Sequence, residues 1–282
     1  MSKHLDLSVK SSISELINVE LLVGKFNDIY TILDNDIKIS ELNEVFKQLL
    51  QSKSQISNIG IDLPLSFGDY SSMNFKTVVV ALDPKRNDKS NKNQNQDKEN
   101  PSISVGSIFN LHTDEGKNTG KNCYWEFVSH LTNSSFVYLT DIYKIYYESK
   151  DSLGQKLLSN KDSDFTEKNK PAYEKNISIL KEEIKFINPN RIITLGKDAR
   201  ESVIKIMEIE TNDEEVHIKK DNIEFIFLPH ISTTVTQSTK TIGDLYRGLG
   251  IITKNDKILQ IGNELISNKS IPNILNPIEL NN

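Results

Sequence analysis

Three polar side chains stand where apolar runs stop. Asp83 closes Val78-Val79-Val80-Ala81-Leu82 and is followed by Pro84, Asp141 closes Phe136-Val137-Tyr138-Leu139-Thr140, and His230 follows the run from Ile223 to Leu228 and Pro229. A carboxylate in a cleft stabilises a developing cation and orients water. An imidazole donates a hydrogen bond to a departing anion, and the neutral ring suffices for that role. Such a pair suits the breaking of a bond into a cationic and an anionic fragment, and no metal is required. Each acid has a plainer reading beside this one: Asp83 and Asp141 would each cap the turn that follows them.

The elements that position these groups follow from the apolar pattern. Residues 76–82, 136–140, 191–195 and 223–228 read as strands, and the first is apolar enough to be buried on both faces. Pro84 stops the first, because proline cannot continue a sheet ladder. Helical spacing marks residues 11–57 (Ile17, Leu21, Leu22, then Leu42, Val45, Phe46, Leu49, Leu50), 124–131, 173–187 and 198–207. Strands alternating with helices predict an α/β fold: a three-layer αβα arrangement around a central, mainly parallel four-stranded sheet, plus an N-terminal helical extension. In an open sheet of this kind ligands bind at the carboxyl ends of the strands, where Asp83, Asp141 and His230 stand. The expected organisation is an extension over 1–60, an α/β domain over 61–254 and a tail over 255–282. Residues 85–100 lack apolar side chains and read as a mobile loop, a tolerated surface insertion. Its first residues, Lys85 and Arg86, also suit a phosphate contact beside the strand end. Residues 150–170 are polar and read as loop.

Composition narrows the classes. The chain has 282 residues, 37% hydrophobic, with a formal net charge of −5, so any DNA contact must come from a local patch. The single cysteine, Cys123, excludes an internal disulfide and a cysteine-ligated iron–sulfur cluster. His4, His112, His130, His217 and His230 have no metal-ligand spacing, and no cofactor is expected. No signal-peptide pattern and no membrane-length apolar run are present, so the expectation is a soluble cytoplasmic protein with no membrane partner.

In chain order, several segments resemble motifs of the uracil-DNA glycosylase superfamily. Ala81-Leu82-Asp83-Pro84 is similar to its first motif, and Ser102-Ile103-Ser104-Val105 with Ser107-Ile108-Phe109-Asn110 to a later one. Val137 to Lys144 resembles the strand ending in a base-reading Asn. Ile184 to Ala199 resembles its helix–strand–turn, and Pro229-His230-Ile231-Ser232 stands where the family has His-Pro-Ser. The resemblance covers about Lys76 to Ser232 and implies a DNA glycosylase that cleaves the N-glycosidic bond of a flipped base. It implies Asp83 and His230 as catalytic residues, with Asp141, Ile103 and Ser104 at the base. Lys85, Arg86, Ser232 and Lys144 would contact single- or double-stranded DNA. The polar run from Thr233 to Lys240 is either a further groove contact or a solvated loop.

Departures from the family pattern bear on the substrate. The family's tyrosine after the proline is Lys85 here, its stacking Phe is Ile103, and its base-reading Asn is Asp141. Asn pairs with the 4-oxygen and ring NH of uracil. An ionised Asp repels that oxygen but accepts from the 4-amino group of cytosine, and when protonated, as burial favours, it also donates to the ring nitrogen. Loss of the tyrosine wall makes room for a 5-substituent. The expected substrate is therefore a modified pyrimidine, cytosine-type before uracil. Two other classes remain open: a non-catalytic DNA- or base-binding relative, and a structural protein whose N-terminal helices bind a protein partner.

Overall fold

A computed structural model describes residues 36–51, 56–71, 73–82, 102–118, 123–132, 135–149, 155–156, 170–211 and 217–228. In chain order the elements are β1 (Asp36–Lys38), α1 (Glu44–Gln51), β2 (Ile56–Leu63), β3 (Leu65–Phe67), β4 (Lys76–Ala81), β5 (Ser102–Ser107), α2 (Asp114–Asn118), α3 (Cys123–Thr132), β6 (Phe136–Asp141), β7 (Ile145–Ser149), β8 (Gln155–Lys156), α4 (Lys170–Ile187), β9 (Arg191–Leu195), α5 (Lys197–Ile206), β10 (His217–Lys220) and β11 (Ile223–Leu228). They fall into two compact units that interleave along the chain. One takes Met1–Leu65, Leu82–Asn110 and Thr140–Ile187, and the other Ser66–Ala81, Leu111–Leu139 and Asn188–Asn282.

The second unit is built on a six-stranded sheet in the order β10-β11-β9-β4-β6-β3. The four expected strands are its four inner neighbours, and β9 runs parallel to both β4 and β11. Val78, Val79, Val80, Phe136 to Leu139, Ile192, Ile193 and Leu195 are buried, which is why these strands read as continuous apolar runs. The sheet is wider than the expected four strands. Asp221 and Asn222 both take positive φ (51° and 63°), and this two-residue turn folds β10 back antiparallel on β11. At the other edge, β3 adds a sixth strand.

The first unit contains a second sheet, which lies outside the four expected strands. Its order is β1-β5-β2-β7-β8, with β2 parallel to β5 and antiparallel to β7. The expected helical region reaches residue 57, but Ile56–Leu63 is a strand. Ile59, Ile61 and Leu63 are fully buried at every second position, a period of two that overrides the helical spacing upstream. Within the N-terminal region, α1 is a helix, and its Phe46, Leu49 and Leu50 are buried. It packs near α4, which buries Ala172, Asn176, Ile179, Leu180, Glu183, Ile184 and Ile187 along one stripe. Residues 1–35, as well as 85–100 and 255–282, where a loop and a tail are expected, lie outside the described residues. Among those described, no helix is long and apolar enough to cross a membrane.

Candidate active site

Parallel pairing on both sides of β9 brings two strand ends to one edge. Thr194 of β9 pairs with Val80 of β4 on one side and with Phe227 of β11 on the other. β4 and β11 therefore run the same way and are level where they leave the sheet. The turn after β9 is fastened to the end of β11, since the Gly196 N–H donates to the Leu228 carbonyl at 2.7 Å. Gly196 sits at φ 97°, where a side chain would be strained. Asp83 and His230 follow Val80 and Phe227 at equal distance in sequence (80 to 83, 227 to 230). Both lie outside the described residues, as do Lys85, Arg86 and Ser232.

Asp141 is the last residue of β6 and is 3% exposed. Two residues on, the Tyr143 N–H donates to the carbonyl of Leu82 at 3.0 Å. This bond ties the chain just after Asp141 to the residue just before Asp83. Ile103 and Ser104 lie in β5. Ile103 is fully buried opposite Ile37 of β1, and Ser104 is flanked by Asp36 and Gly60. The Ser104 hydroxyl is buried and makes no hydrogen bond among the described residues.

The expectation that Lys144 contacts DNA is corrected. Its side chain is fully buried, and its ammonium is taken up inside the protein. Nζ donates to Thr140 Oγ1 at 2.7 Å and to the Asp141 carbonyl at 2.5 Å, and Glu183 Oε2 stands 3.0 Å away. An ammonium has three N–H donors, and these three oxygens match them. Thr140 Oγ1 in turn donates to Glu183 Oε2 at 2.7 Å, so lysine, threonine and glutamate close a ring. A buried cation must be paired, and this one has no donor left for a phosphate.

Asn176 extends the cluster. Its Oδ1 accepts from the Lys144 backbone N–H at 3.1 Å, while its Nδ2 donates to the Ala172 carbonyl at 2.9 Å. The Lys144 carbonyl accepts from the Asp62 N–H at 2.9 Å. Sequence reasoning singles out neither Asn176 nor Glu183. The signal was present: both fall on the stripe of α4 that carries Leu180, Ile184 and Ile187, where polar side chains need buried partners. Phe109 and Asn110, just past β5, both take left-handed backbone (φ 55° and 57°), which Asn tolerates and Phe resists.

Among the described residues no group of three or more His, Cys, Asp or Glu side chains is placed to hold a metal ion. Compared with models of known protein families the chain matches none, and it matches no curated protein.

Proposed function

We propose that the chain is a DNA glycosylase of the uracil-DNA glycosylase kind. It hydrolyses the N-glycosidic bond of a flipped, modified pyrimidine, cytosine-type before uracil, and leaves an abasic site. The observation that supports this reading is that β4 and β11, the strands leading to Asp83 and His230, both run parallel to β9 and leave the sheet at the same edge and the same level. Open α/β sheets bind their ligands at such an edge. In the proposed reaction the Asp83 carboxylate stabilises the cationic sugar and orients the attacking water. His230 donates a hydrogen bond to the 2-oxygen of the leaving base, which departs with the bonding electrons. Asp141, buried at the end of β6 and tied through Tyr143 to Leu82, meets the Watson–Crick edge of the base. Lys85, Arg86 and Ser232 hold the phosphates, and Lys144 has no part in that task.

The test is abasic-site formation on single- and double-stranded oligonucleotides carrying uracil, 5-methylcytosine or 5-hydroxymethylcytosine, read as alkali-sensitive breaks. Asp83→Asn and His230→Ala should each lower the rate by roughly a hundred- to a thousandfold, the usual cost of removing one electrostatic contact to a transition state. Full activity in either variant would overturn its role. DNA binding with no base release from any substrate would replace the enzyme by a binding protein.

A further inference from the structure

We propose that Lys144 and Glu183 are positioning residues for base selection: the buried pair grips the main chain at Asp141 and so sets where the Asp141 carboxylate stands. The proposal rests on the reading of Asp141 as the acid that faces the base.

Stability alone gives little reason for this pair. Apolar side chains of similar volume usually serve a protein core as well as a buried ion pair or better, because both ions must leave water. Yet the glutamate occupies the apolar stripe of α4, and the lysine is fully enclosed. What the pair does have is aim. The Lys144 ammonium reaches back along its own chain to the Asp141 carbonyl and to Thr140 Oγ1, and Glu183 fixes it from the helix.

The backbone after Asp141 is held at several further points. The Tyr143 N–H is bound to Leu82, the Lys144 N–H to Asn176, and the Lys144 carbonyl to Asp62. Those anchors come from different stretches of the chain, so the 140–144 turn has little freedom to rotate. A carbonyl held by an ammonium fixes the peptide plane that follows Asp141. Displacing a substrate-facing group by about 1 Å can cost on the order of a hundredfold in rate. Selection between two pyrimidines that differ at one exocyclic group needs that accuracy.

The test uses the full chain with Lys144→Met and Glu183→Leu combined, which removes both charges and leaves none unpaired. Two measurements are made: the ratio of release rates for 5-hydroxymethylcytosine and uracil in identical duplexes, and hydrogen exchange at the Tyr143 and Lys144 amides. We expect a folded variant whose base ratio moves towards unity by about tenfold or more, with faster exchange at those amides and unchanged exchange in β9. Glu183→Asp keeps both charges but withdraws the carboxylate by one methylene from the Lys144 ammonium, and should shift the ratio in the same direction by less. It decides the matter if the double variant does not fold. A parental ratio in a folded variant, or unchanged exchange at the two amides, overturns the positioning role. If the parent protein releases no base at all, the glycosylase reading falls and takes the selection role with it, while the exchange data still judge the grip on the turn.

Discussion

Removing Lys144 alone should destabilise the protein far more than removing it together with Glu183. Lys144 is 0% exposed and the Glu183 side chain 2%, so water screens neither charge. At the observed 3.0 Å, and with an effective interior dielectric of about 20, their attraction is about 5–6 kcal/mol. Desolvation of the two ions cancels much of that gain, so the net contribution of the intact pair is small. Lys144→Met keeps the desolvation of Glu183 and removes its cation, a loss of about 3–5 kcal/mol. The bond from Thr140 Oγ1 to Glu183 remains and argues for the lower end, about 3 kcal/mol. In Lys144→Met/Glu183→Leu neither charge of the pair is left, and stability should return to within about 1–2 kcal/mol of the parent. Urea unfolding of the four proteins of the cycle measures both numbers, provided that the slopes agree. A single Lys144→Met variant that loses less than about 1 kcal/mol would refute the reasoning, because it would mean that Glu183 is not charged and buried beside the lysine.

Three further outcomes are expected. Asp141→Asn should move base preference from the 4-amino pyrimidine towards uracil, measured as the ratio of release rates in paired duplexes, because the amide supplies the donor that the 4-oxygen needs. Arg191→Met should cost about 3 kcal/mol in urea unfolding, since Glu224 is 4% exposed and would lose a guanidinium whose Nε lies 2.5 Å away. The exposed Glu44 carboxyl is held below its usual pKa, first by the hydrogen bond from Gln48 and then by Lys47. Its small contribution to stability is therefore present above the ordinary carboxylate range and lost as pH falls through the lowered pKa, and Gln48→Ala should raise the Glu44 midpoint seen by NMR.

The strands that could be read from the sequence are those whose own side chains decide the matter. Arg191–Leu195 and Ile223–Leu228 are found at the expected bounds because the sheet buries every position but Ile223, so apolar side chains fill all places except Arg191, Thr194 and Glu224. The helix expected over 173–187 starts at Lys170, where Pro171 falls in the first turn that accepts proline. Strands of the other sheet gave no such signal. Ser102–Ser107 alternates small polar residues with Ile103 and Val105 and ends in Gly106-Ser107, so it becomes a strand through pairing with β1 and β2. β10 depends on Asp221-Asn222, a turn that works through two left-handed residues without the glycine that usually advertises it.

The misassignment of Lys144 shows where reading by strand ends stops being sufficient. A lysine three places past a buried strand is exposed in most proteins, and a DNA contact was the natural use for it. What reverses its role is Glu183, far along the chain and on another element, so the pairing exists only after the chain folds. Part of it was nonetheless legible. Asn176 and Glu183 are seven residues apart, two turns of helix, and share the stripe with Leu180, Ile184 and Ile187. Two polar groups on a buried stripe require buried polar partners, and a carboxylate requires a cation. Within the same unit, Lys144 meets that requirement, and it does so while holding the carbonyl of Asp141. The same side chain that was expected to face DNA thus acts one step behind the residue proposed to face the base. Its effect should appear in which base is released, whereas loss of a phosphate contact would weaken binding to every duplex alike and flatten its salt dependence.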